Sequence, residues 1–107
     1  MNSFELAEKC KEFLENKKAL NIKIIKTDVN NVLSDYVIIA TGTSTTHIKA
    51  LADEVESKLK EFNILPHHIE GYNENTWILL DYMDVVVHVF SEQSRNYYNI
   101  YNEFGEN

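Results

Sequence analysis

Residues 76–90 contain two short runs of alternating chemistry separated by a turn, and few folds can satisfy both. Trp77, Leu79 and Asp81 alternate with Ile78 and Leu80. Beyond the turn, Val86, His88 and Phe90 alternate with Val85, Val87 and Val89. Side chains along a strand point to opposite faces in turn, so the segment reads as a β-hairpin. With Tyr82-Met83 as a two-residue turn, Asp81 faces Asp84, and Trp77, Leu79, Asp81, Asp84, Val86, His88 and Phe90 share one face. A three-residue turn would reverse the parity of the second strand and exchange its two faces. The opposite face is purely aliphatic and belongs against a core. The mixed face, with an aromatic, a histidine and two acids, has the composition of an interface. Helices covering both faces, with Trp77 simply buried, is the other reading.

The remaining elements follow from periodicity. In residues 3–17, Leu6, Ala7, Cys10, Phe13 and Leu14 fall on one face of an amphipathic helix, with Ser3 as its N-cap and Glu5 in its first turn. Residues 21–27 alternate as a strand, and Asn30-Asn31 marks a turn. Residues 35–41 are nearly continuous and β-branched, as an interior strand requires. After Gly42, a second helix capped by Thr43 or Ser44 places Ile48, Leu51, Ala52, Val55, Leu59 and Phe62 on one face, and Asn63 and Pro66 end it. Residues 67–70 form a short strand and Gly71 to Asn75 a loop. Ser91 opens a last helix with Tyr97, Ile100, Tyr101 and Phe104 on one face. The order α-β-β-α-β-β-β-α describes a single α/β domain, a mixed sheet of about five strands packed with helices.

Composition narrows the classes of function. A chain of 107 residues with 44% hydrophobic residues has room for one core. One cysteine, Cys10, allows no intrachain disulfide and fits a reducing, cytoplasmic setting. No apolar run approaches the roughly 18 residues of a membrane span, and the start lacks the basic and apolar regions of a signal peptide. The net charge of −7 is uneven: residues 1–60 hold nine Lys and nine acids, whereas residues 61–107 hold eight acids and only Arg95 as a base. An acidic half repels phosphate backbones, which argues against direct nucleic-acid binding, and attracts a basic partner; a solvated surface that aids solubility is the plainer reading.

No motif specifies catalysis. The turn at Gly42-Thr43-Ser44 lacks the glycine spacing and lysine of a phosphate loop and reads as a turn with an N-cap. Asp81 and Asp84 straddle the hairpin turn and read as turn residues, not metal ligands. His47, His67, His68 and His88 have no zinc spacing. Cys10 lies in an apolar stripe and reads as a core residue. Ser44, His88 and Asp81 could form a triad on paper only. A metal-dependent nucleotide-binding enzyme built on Gly42, Ser44, Asp81 and Asp84 is the alternative to a binding module.

Three blocks of residues resemble one family. Asp35-Tyr36-Val37-Ile38-Ile39-Ala40-Thr41-Gly42-Thr43-Ser44 with His47 and Lys49-Ala50 forms the first block. Glu70-Gly71 with Trp77, Leu79-Leu80-Asp81-Tyr82 and Asp84-Val85-Val86-Val87-His88-Val89-Phe90 forms the second, and Arg95 with Tyr98 the third. Together they resemble the ribosomal silencing factors, also called RsfS or Iojap, across about residues 4–104. The resemblance implies a nucleotidyltransferase-like fold without catalytic carboxylates, no cofactor and no metal. It also implies a cytoplasmic protein that binds the large ribosomal subunit through the fourteenth protein of its series, a basic protein at the subunit interface. Binding there would block joining of the small subunit and repress translation when nutrients are scarce. Trp77, Leu79, Asp81, Met83, Asp84, Val86, His88, Arg95 and Tyr98 are then the expected partner-binding residues. A homodimer of the free protein, opening to meet the ribosome, is a further arrangement the residues leave open. Met83 stands where the family usually has Gly, a position that suggests positive φ at a cost of roughly 1 kcal/mol for Met. After Tyr98, where the family often continues with Glu and then Leu-Trp, this chain has Tyr101, Glu103 and Phe104.

Overall fold

The first helix, α1 (Ser3–Asn16), begins at its expected cap, and the observed cap lies one residue earlier. Asn2, not Ser3, is the N-cap: its side chain accepts from the Glu5 N–H while the Glu5 carboxylate accepts from the Asn2 N–H, closing a capping box. The buried face of α1 is Leu6, Ala7, Cys10, Phe13 and Leu14, as its spacing demands. The computed structural model describes residues 1–27, 35–74 and 76–98, with the side chains of 97 and 98 outside that description. The expected turn at Asn30-Asn31 and the apolar face of the last helix lie outside the described residues.

Five strands form one sheet: β1 (Leu20–Lys26), β2 (Tyr36–Gly42), β3 (His68–Glu70), β4 (Trp77–Asp81) and β5 (Val85–Ser91). Their order is β1-β2-β5-β4-β3, mixed as expected, with β2 and β5 parallel and the other pairs antiparallel. Helix α2 (Thr45–Lys60) follows β2, and α3 (Glu92–Tyr98) follows β5. The order is that read from the sequence.

Helices α1 and α2 cover one face of the sheet. There the aliphatic side of the hairpin, Ile78, Leu80, Val85, Val87 and Val89, joins Ile48, Leu51, Val55 and Leu59 of α2 in the main core. Each fully buried aliphatic side chain contributes about 1.5–3 kcal/mol. Phe62 departs from expectation: it lies beyond the end of α2, about half exposed, with the Lys9 ammonium over its ring.

Close packing and a chain of hydrogen bonds fix the β2–α2 junction. A Cβ on Gly42 would come within 2.6 Å of Ile48 Cγ1, so only glycine lets the first turn of α2 close on the strand. Ser44 is the N-cap, accepting from the His47 N–H. His47 Nδ1 then accepts from the Thr43 N–H at 2.9 Å, and its Nε2 donates to the Lys17 carbonyl at 2.7 Å, joining the end of α1 to this turn.

Candidate docking face of the sheet

The second face of the sheet is ordered in three rows across the strands. Thr41, Phe90 and Trp77 form the first, Ile39, His88, Leu79 and Glu70 the second, and Val37, Val86, Asp81 and His68 the third. Burial falls along each row from β2 outward. Thr41, Ile39 and Val37 are buried; Trp77, Leu79, Val86 and Asp81 are half-buried; Glu70 and His68 are exposed. A patch of half-buried apolar side chains therefore opens beside carboxylates at the β4–β3 end.

The hairpin turn is placed one residue later than expected, which moves the register between the strands by two. Asp81 pairs with Val86, not Asp84, and Tyr82 donates its N–H to the Val85 carbonyl, leaving Met83 and Asp84 at the tip. The shift is even, so every strand residue keeps its predicted face. Met83 has φ 72°, and the Asp84 N–H donates to the Tyr82 carbonyl at 2.9 Å, which makes a γ-turn of the rare positive-φ kind. The Asp81 carboxylate accepts the Met83 N–H at 2.8 Å, so this acid serves the turn. The Asp84 carbonyl accepts from the N–H groups of Asp35 and Tyr36, tying the tip to the start of β2.

Trp77, His88 and Arg95, all expected contact residues, also bond or stack within the fold. His88 is 4% exposed and lies beneath Trp77, accepting the indole N–H on Nδ1 at 2.9 Å. Burial lowers its pKa from 6.5 to about 4, so the ring is neutral, with its proton on Nε2. The Trp77 indole stacks on Phe90 with centroids 4.9 Å apart. Arg95 donates to the Asn21 carbonyl at 2.7 Å and to the Thr41 hydroxyl at 2.8 Å, bracing α3 against β1 and β2. Tyr98 ends α3, and its side chain lies outside the described residues.

Two residues of this face escaped the sequence reading. His68 stands directly opposite Asp81, and Glu70 opposite Leu79, with the His68 ring 2.7 Å from the Glu70 carboxylate. The strand at 67–70 was legible, but its register against β4 was not.

The pieces of the alternative enzyme do not meet. Asp84 lies against the start of β2, whereas Gly42 ends that strand, about 20 Å away at about 3.3 Å per residue. His88 is engaged by Trp77 and the Ser44 hydroxyl by the His47 N–H, so Ser44, His88 and Asp81 form no triad. Among the described residues no three His, Cys, Asp or Glu side chains group to hold a metal, and no helix is long and apolar enough to cross a membrane. Cys10 is fully buried, and burial pushes its thiol up to about 12.

The model of the family described as "Ribosomal silencing factor during starvation" matches residues 1–102. The chain belongs to the ribosomal silencing factor family. It is 34% identical over 92 residues to the ribosomal silencing factor RsfS of Bacillus subtilis (strain 168), covering 86% of this chain and 78% of that protein. It is 38% identical over 96 residues to RsfS of Chromobacterium violaceum, covering 90% of this chain and 79% of that protein. A crystal structure of a Chromobacterium violaceum protein superposes on the whole of this chain and 89% of that one, with a TM-score of 0.95 at 36% identity. The mixed five-stranded sheet is thus the fold of solved proteins similar in sequence as well as in shape.

Proposed function

We propose that this silencing factor acts by binding, not by catalysis, and that its target is the large ribosomal subunit. The partner is a basic protein at the subunit-joining face, the fourteenth of the large-subunit series. Occupying it in the cytoplasm keeps the small subunit from joining and lowers translation when nutrients are limiting. The observation that carries this reading is the open end of the sheet face. Trp77, Leu79 and Val86 offer desolvatable apolar surface, and Asp81, Glu70 and Asp84 rim it with negative charge. Aromatic anchors ringed by polar groups are the usual form of a binding hot spot, and the carboxylates suit a basic partner.

Co-sedimentation with isolated ribosomal subunits tests it. The protein should pellet with large subunits and not with small ones, and its presence should reduce the yield of joined ribosomes. Trp77→Ala should lose binding while staying folded. Equal recovery with both subunits, or wild-type recovery of a folded Trp77→Ala variant, would remove the proposal.

A further inference from the structure

We infer that His88 is a positioning residue for docking: it never meets the partner, but holds the Trp77 indole in the one orientation that the partner reads. This rests on the docking role of the sheet face proposed above. Trp77 and His88 are diagonal neighbours on β4 and β5, since Trp77 pairs with Phe90 and Leu79 with His88. Their rings lie 5.8 Å apart, and both rest against Phe90, the imidazole nearly parallel to it at 10°. Phe90 is 1% exposed, so the aromatic layer beneath the indole is fixed by the sheet. The stack on Phe90 sets the plane of the half-exposed indole, and the hydrogen bond to Nδ1 sets which edge of the indole turns inward.

The chemistry of the acceptor is specific. An indole N–H only donates, so the residue below must present a lone pair there. A neutral imidazole does this, an amide oxygen can replace it, and an aliphatic side chain of similar size cannot. An indole already held in its bound orientation loses less conformational freedom on association. Substitution at a residue without access to the partner should then alter affinity through Trp77 alone.

The test is a double-mutant cycle on the full chain, with isolated large subunits as the binding probe and melting temperature measured in parallel. His88→Leu should weaken binding about five-fold, the scale expected for freeing one large side chain. His88→Gln should bind within about two-fold of wild type, and in a Trp77→Phe background His88→Leu should have no further effect. Trp77 is the only tryptophan, so its fluorescence anisotropy reads the indole directly. Local motion should increase in His88→Leu and not in His88→Gln. A folded His88→Leu protein with wild-type affinity or unchanged indole motion overturns the inference. If His88→Leu does not fold, exchange of the wild-type indole N–H with water decides, slow exchange supporting the bond and free-tryptophan exchange overturning it. Failure of the docking reading is distinguishable, because a folded Trp77→Ala protein would keep its affinity while the anisotropy series still reports on His88.

Discussion

The Arg95 guanidinium donates to the backbone carbonyl of Asn21, 74 residues earlier in the chain. The carbonyl is available because pairing between β1 and β2 is irregular between Leu20 and Lys23. Asn21 sits there with φ 49°, a left-handed conformation that Asn tolerates better than most residues. The same guanidinium holds Thr41, so one side chain joins the last helix to two strands. Charge-assisted hydrogen bonds of this kind are worth about 1.5–3 kcal/mol when their partners are shielded, and less for a partly exposed side chain. Arg95→Ala should therefore lower unfolding stability by about 1–2 kcal/mol. Arg95→Lys should recover less than half of that, because one ammonium lacks the guanidinium's planar fork. Urea denaturation of the three proteins measures it.

Met83 carries strain that a glycine would release. Its φ of 72° at the centre of the γ-turn places a Cβ where left-handed backbone disfavours one. The side chain is 58% exposed, so little packing is lost on removing it. Met83→Gly should raise stability by about 0.5–1 kcal/mol, the relief of strain outweighing the extra freedom of glycine in the unfolded chain. A denaturation midpoint that falls would show that the turn is held without strain.

Tyr82 presents the opposite case, a polar atom with no hydrogen-bond partner among the described residues. The residue is 7% exposed in the main core, and burial, reinforced by Cys10 and Glu56, raises its phenol pKa. An unpaired buried hydroxyl costs about 1–3 kcal/mol of desolvation. Tyr82→Phe should thus be at least as stable as the natural chain, by up to about 1 kcal/mol. A loss of more than about 1 kcal/mol would mean that the hydroxyl is bonded.

Local pattern carried the elements and the faces, while long-range pairing carried the rest. The buried sets of α1 and α2 followed from spacing, except Phe62, whose helix stops before it. The hairpin kept its faces although its register moved by two residues, because alternation determines parity and turn chemistry determines register. The placement of β5 beside β2, and of β3 beside β4, joins segments whose own residues carry no mark of their neighbours. For the same reason nothing local to Arg95 marks the brace it forms to Asn21, and nothing local to His68 and Glu70 places them opposite Asp81 and Leu79. The open patch was legible as a mixed strand face; that His88 lies beneath Trp77 required the third dimension.

His88 should also make the fold acid-sensitive. Burial lowers its pKa from 6.5 to about 4, so between these values the unfolded chain binds a proton that the folded chain refuses. Stability from this group is fully present above about pH 6.5 and is lost as the pH falls toward about 4, below which the loss is complete. At about 1.4 kcal/mol per unit, the total is about 3 kcal/mol. The Trp77 N–H acts in the same direction, since a protonated Nδ1 cannot accept it. Denaturation curves from pH 7 to pH 4 should therefore show a steep loss of stability in the natural chain. The loss should be smaller by about 2–3 kcal/mol in His88→Gln, which has no group to protonate in that range. Parallel curves for the two proteins would show that His88 takes up its proton as readily in the fold as in the unfolded chain, so that neither burial nor the indole hydrogen bond holds the ring neutral.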